Sequence, residues 1–124
     1  MKSVPSCLIV DDNQSFLDVA TGLLQQQGLT LVGSATNKDQ ALQLADEFSP
    51  DIILVDMMLG AESGIDLAGQ LVELHPNSTV VLISTHAEAD FAVLIDGSGA
   101  AGFIPKSRLS VSEIMRFVPG GSGS

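Results

Sequence analysis

Hydrophobic residues along this chain follow two alternating periods. Short apolar runs recur at residues 6–10, 30–35, 52–55, 79–83 and 101–104, each the length of a buried strand. Between them the spacing lengthens to that of a helix. After Asn13, residues Phe16, Val19, Ala20, Leu23 and Leu24 share one face, with Gly28 placed to stop the helix. Ala41, Leu44, Ala45 and Phe48 share the next, capped by Thr36 or Asn37 and ending before Pro50. Ser63 followed by Asp66 is a capping pair, and Leu67, Ala68, Leu71 and Val72 form the stripe behind it until His75-Pro76. A fourth helix is expected over 88–96, closed by Gly97-Ser98-Gly99. Its Phe91-Ala92-Val93-Leu94-Ile95 core is apolar on nearly every side, so part of it is expected to meet a partner. From about Ser110, Val111, Ile114, Met115 and Val118 line a short last helix stopped by Pro119. Five strands alternating with five helices predict an α/β fold, a doubly wound five-stranded parallel sheet flanked by five helices.

The strand ends carry the chemistry. Ile52, Ile53, Leu54 and Val55 suit a strand buried on both faces, and the run stops at Asp56. Sites in open α/β sheets lie outside the carboxyl ends of the strands, so Asp56 is a site candidate, although alone it reads equally well as a cap or loop residue. The first strand ends on Asp11 and Asp12, the fourth on Ser84-Thr85, and Pro105-Lys106-Ser107 follows the fifth. Right-handed crossovers bring these ends to one edge. Three carboxylates there repel unless a hard divalent cation neutralises them, and oxygen-only ligands favour magnesium, with manganese as the substitute. A lysine and a hydroxyl opposite them supply positive charge and a donor to a transferring phosphoryl group, which a carboxylate can accept.

Composition narrows the classes. The 124 residues support one domain, assigned to 1–119, with Gly120-Gly-Ser-Gly-Ser124 read as a linker or cloning scar. Fifteen acidic against five basic residues give a net charge of −10, so nucleic acid and anionic membranes should be repelled by this domain alone. Cys7, the sole cysteine, sits in an apolar run and reads as a buried hydrophobe. No run is long enough to span a membrane and residues 1–6 lack a signal-peptide core, so a cytoplasmic protein is expected.

With these residues in place, the chain resembles a response-regulator receiver domain of a two-component system over Cys7 to about Val118, a flavodoxin-like fold. The matching stretches are Leu-Ile-Val-Asp11-Asp12, Asp51-Ile-Ile-Leu-Val-Asp56-Met-Met-Leu with Ser63-Gly64, Val-Leu-Ile-Ser84, and Gly99-Ala-Ala-Gly-Phe103-Ile-Pro-Lys106. The resemblance implies a phosphorylation-controlled switch rather than an enzyme, catalysing only its own phosphotransfer and dephosphorylation. Asp56 would accept phosphate from a sensor histidine kinase or phosphotransfer protein. Asp12 and Asp56 would bind magnesium directly, Asp11 through water, and the Met58 carbonyl would complete the protein ligands. Lys106 would pair with the phosphoryl oxygens, Ser84 would hydrogen-bond one of them, and Phe103 would move with Ser84. Met58 and His86 stand where the phosphoryl lifetime could be tuned, although a solvated loop histidine explains His86 as well. The output face would comprise the fourth helix, fifth strand and fifth helix, also a possible homodimer surface.

Two departures qualify the match. Gly60 stands where the family usually has proline, which predicts a less rigid loop after Asp56. Phe-Ile-Pro-Lys-Ser, with proline before the lysine, resembles the NarL/LuxR-type subfamily, whose receivers precede a DNA-binding domain, and so implies transcription regulation through a further output domain. An aspartate-based phosphohydrolase is the alternative from the enzyme class, but it needs a second Asp two residues after the nucleophile, where this chain has Met58. A flavodoxin-type nucleotide or flavin module is disfavoured by the acidic Asp11-Asp12-Asn13-Gln14 turn. A phosphorylation-independent interaction domain is the third alternative.

Overall fold

The computed structural model describes residues 5–85 and 92–118. Five strands, β1 (Ser6–Val10), β2 (Thr30–Ala35), β3 (Ile52–Asp56), β6 (Thr79–Ser84) and β7 (Gly102–Pro105), form one sheet in the order β2-β1-β3-β6-β7. Every neighbouring pair is parallel. Helices α1 (Gln14–Gln26), α2 (Lys38–Phe48), α3 (Gly64–Leu74), α4 (Ala92–Ser98) and α5 (Val111–Met115) cover it, and a two-residue-per-strand hairpin, β4 (Met58–Leu59) with β5 (Glu62–Ser63), follows β3. This is the doubly wound sheet expected from the alternating periods.

Alternation along each strand divides the core into two layers. Leu8, Val10, Ile53 and Val55 point to the side covered by α2 and α3, whereas Cys7, Ile9, Ile52 and Leu54 pack with α1 and α5. All five residues of β3 are buried, because β1 and β6 flank it in the sheet and helices cover both faces.

Capping follows the sequence. The side chains of Asn13, Asn37, Ser63 and Ser110 accept hydrogen bonds from the backbone N–H groups of Phe16, Gln40, Asp66 and Glu113, respectively. Of the two expected caps on α2, Asn37 takes the role.

Several expectations need correction. The buried face of α1 is Leu17, Ala20 and Leu24, with Phe16 half-buried; Val19 and Leu23 lie on the exposed side. Ala20 and Leu24 face inward as expected, and Leu17 takes the place expected of Val19 and Leu23. Phe48, expected to face inward, ends α2 exposed. Helix α4 continues through Gly97 to Ser98, two residues beyond the expected end, and the last strand begins at Gly102 and takes in Pro105. A single 3-10 turn, Lys106–Arg108, precedes α5, which is only five residues long. The expected start of the fourth helix, including Phe91, lies outside the described residues, as does His86.

Candidate functional site

Asp11, Asp12 and Asp56 arrive at the carboxyl edge of the sheet on adjacent strands, and each places one carboxylate oxygen within 4.8 Å of the others. Asp11 is fully buried and Asp56 nearly so, while Asp12 is exposed. Asp12 and Asp56 line, with Met58, Gly60, Ser84, Thr85 and Lys106, a cleft of about 320 Å3; Asp11 and Phe103 are not among its lining residues. A larger groove of about 860 Å3 between α3 and α4 shares no residue with it, and the carboxylates and lysine mark the smaller cleft as the chemical site.

The turns around Asp56 set this geometry. The Met58 N–H donates to Asp56 Oδ1 at 3.3 Å, and the Gly64 N–H donates to the Met57 carbonyl at 3.0 Å, folding the hairpin back over the strand end. A Cβ on Gly64 would run into the Asp56 carbonyl, so only glycine permits this approach of α3. Gly60 turns the hairpin at φ +59, which a proline ring cannot adopt, and a Cβ there would lie 3.5 Å from Asp12 Oδ2. The loop after Asp56 is thus a two-residue-per-strand hairpin turned at Gly60. Its Lys38 N–H to Glu62 Oε1 bond of 2.9 Å ties it to α2 as well.

Charge at the site is unevenly compensated. Lys106 Nζ lies 2.6 Å from Asp11 Oδ2 and 3.3 Å from Asp56 Oδ2. The Asp11 contact is close but poorly directed, which leaves Oδ2 buried without an aligned donor while Oδ1 accepts the Asn13 N–H at 2.8 Å. Burial, then the neighbouring Asp11 charge, pushes the Asp56 carboxyl above its ordinary pKa, against the opposing pull of Lys106. For Lys106, burial favours the neutral form, but the close contact to Asp11 and the charges of Asp56 and Asp11 outweigh it and hold the ammonium above its ordinary value. A buried carboxylate oxygen without an aligned donor, beside two further carboxylates, is an all-oxygen donor set suited to a hard divalent cation, so the residues fit magnesium.

Ser84 ends β6 fully buried beside the cleft, and Phe103 packs inside the core layer that contains Leu82 and Ile95. Met58 is exposed at the rim. Two contributors were not anticipated from sequence. Thr85 lines the cleft, which its place after Ser84 could have suggested, and the Phe16 ring lies 4.3 Å from Lys106 Nζ, which only the first-turn position on α1 hinted at.

Similar proteins share this arrangement of sequence and fold. Residues 7–118 match the response regulator receiver domain. The chain is 31% identical over 100 residues to the response regulator GacA of Pseudomonas viridiflava, covering 80% of this chain and 47% of that protein. It is 25% identical over 100 residues to the transcriptional regulatory protein DegU of Brevibacillus brevis, covering 80% and 42%. The chain spans about half the length of the curated relatives it matches. A response regulator from Burkholderia pseudomallei, solved with a phosphorylated aspartic acid, calcium ion and citrate, superposes with a TM-score of 0.83 at 28% identity, covering 96% of this chain and 69% of that one. No helix among the described residues is long and apolar enough to cross a membrane. The chain belongs to the response regulator receiver domain family, a phosphorylation-controlled signalling domain.

Proposed function

We propose that Asp56 is the phosphoacceptor of this receiver. The observation that carries the reading is the meeting of a strand-end carboxylate, two further carboxylates and the Lys106 ammonium, 3.3 Å from Asp56, at one edge of the sheet. An Asp56 carboxylate oxygen attacks the phosphorus of a phosphohistidine on a sensor kinase or phosphotransfer protein. The new P–O bond forms as the P–N bond breaks, and the bonding electron pair leaves with the imidazole nitrogen. Lys106 moves its contact from Asp56 to a phosphoryl oxygen, and the Ser84 hydroxyl donates to another. Asp12, Asp56 and the Met58 carbonyl would hold magnesium directly and Asp11 through water, and the ion would supply positive charge to offset the carboxylates and the transferring group. Later hydrolysis of the acyl phosphate resets the domain, with Met58 and His86 at positions to tune its rate. The domain is otherwise no enzyme.

Ser84, drawn toward the phosphoryl group, would free space into which the Phe103 ring of β7 can shift, and α4, β7 and α5 form the proposed output and homodimer face. Val93, 83% exposed on α4, supports a partner surface there. The NarL/LuxR-type Phe103-to-Ser107 run and the transcriptional relatives support a transcriptional output domain beyond the receiver, 1–119, with 120–124 as linker and the protein in the cytoplasm.

Intact-mass measurement after treatment with acetyl phosphate and magnesium tests the assignment: one phosphoryl group is expected on the wild type and none on Asp56→Asn. Equal uptake by the variant overturns it.

A further inference from the structure

Lys106 is held from three sides. Two are the carboxylates of Asp11 and Asp56, and the third is the face of the Phe16 ring, 4.3 Å from Nζ to the centroid. That distance is well inside the range of cation–π attraction, and the lysine side chain is only 14% exposed, so little water screens the contact. Phe16 is placed by the same turn that places the acids. The Asn13 N–H donates to Asp11 Oδ1 at 2.8 Å, and Asn13 Oδ1 accepts the Phe16 N–H at 3.1 Å as the cap of α1. Asp11, Asn13, Phe16 and Lys106 therefore form a closed circuit: acid to cap, cap to ring, ring to ammonium, ammonium back to acid.

We propose that Phe16 is a positioning residue for Lys106, its ring holding the ammonium at the cleft while the lysine exchanges one carboxylate contact for a phosphoryl oxygen. The proposal rests on the reading of Asp56 as phosphoacceptor. A π face suits this task where other groups do not. It attracts the cation without a lone pair that would compete with phosphoryl oxygens for its N–H donors. An aliphatic side chain would exclude water but leave the long, flexible lysine free to swing. A third carboxylate would hold the ammonium too firmly to release it and would add to the anionic charge that already raises the Asp56 pKa.

The test compares Phe16→Leu, which keeps apolar packing, with Phe16→Tyr, which keeps the ring. Proton NMR of the wild type should show the Lys106 ε-methylene protons shifted upfield by the ring current; Phe16→Leu should abolish that shift and Phe16→Tyr retain it. With magnesium saturating, Phe16→Leu should slow phosphorylation by acetyl phosphate about two- to fivefold, the range expected for one partly desolvated cation–π contact, with unchanged magnesium affinity and near-native rate in Phe16→Tyr. Absence of the wild-type upfield shift overturns the inference, and so does equal slowing in both variants, which would assign Phe16 to packing alone. A wild type that takes up no phosphoryl group would overturn the Asp56 assignment instead, and the ring-current measurement would then decide the placement of Lys106 by itself. Backbone amide spectra confirm that each variant is folded; should Phe16→Leu fail to fold, Phe16→Met carries the same comparison.

Discussion

Two aspartates flank β3, and their surroundings are opposite. Asp51, at the start, is exposed and well supplied: the Ser6 N–H and hydroxyl donate to Oδ2 at 3.0 and 3.3 Å, and the Asp51 N–H donates back to Ser6 Oγ at 3.0 Å. Asp56, at the end, is 7% exposed and receives one backbone donor at 3.3 Å and a lysine that it shares with Asp11. The first aspartate stitches β1 to β3 at the edge where strands begin. The second is left short of donors and beside another anion, at the edge where sites form. Saturated hydrogen bonding marks a structural carboxylate; an under-supplied, crowded one has chemistry held in reserve.

Removing the shared cation should disturb the crowded end most. Lys106→Met leaves a fully buried Asp11 and a nearly buried Asp56 without their counter-charge, so stability in chelator should fall by about 3 kcal/mol. Magnesium should recover part of the loss, because it opposes the same repulsion. Urea melts with EDTA and with magnesium measure both, and a variant as stable as the wild type in EDTA would mean that the acids are relieved by some other group.

At the opposite end the effect is smaller. Asp51→Ala removes an exposed set of charge-assisted hydrogen bonds and should lower stability by about 1 kcal/mol, with phosphoryl uptake unchanged. Loss of uptake in this variant would erase the distinction between the two ends.

The smallest effect is the most diagnostic. Because the folded pKa of Asp56 is raised, the folded chain resists ionisation that the unfolded chain undergoes freely. The Asp56 contribution to stability is therefore fully present below the ordinary carboxylate pKa and is lost as pH rises through the folded value. Asp56→Asn does not titrate, so without metal its advantage over the wild type should be least in acid and grow to a plateau above the folded pKa. Thermal melts in EDTA across that range follow the difference, and an advantage that shrank with rising pH would reverse the sign of the argument.

Much of this architecture was legible before the structure. The β-branched run ending at Asp56, the Ser63–Asp66 cap, the start of the last helix at Ser110, and the strand-end placement of Asp11, Asp12, Ser84 and Lys106 all follow from local rules of burial and capping. The face of α1 was read in part: Ala20 and Leu24 face the core as expected, but Val19 and Leu23 keep helical spacing as well as Leu17 does, and only docking against the sheet selects Leu17. The hairpin after β3 was missed because strands of two residues have no period to detect.

Sequence by itself determined the order of strands and helices, their caps and stops, and which residues stand at strand ends, since these depend on neighbours a few positions apart. Tertiary structure alone decided how the charges share one space: that Lys106 leans on Asp11 more closely than on Asp56, that Gly64 brings α3 against the Asp56 carbonyl, and that the Phe16 ring meets the lysine. Those contacts join residues far apart along the chain, and their strengths turn on tenths of an ångström and on exclusion of water, which exist only after the sheet has closed over its helices.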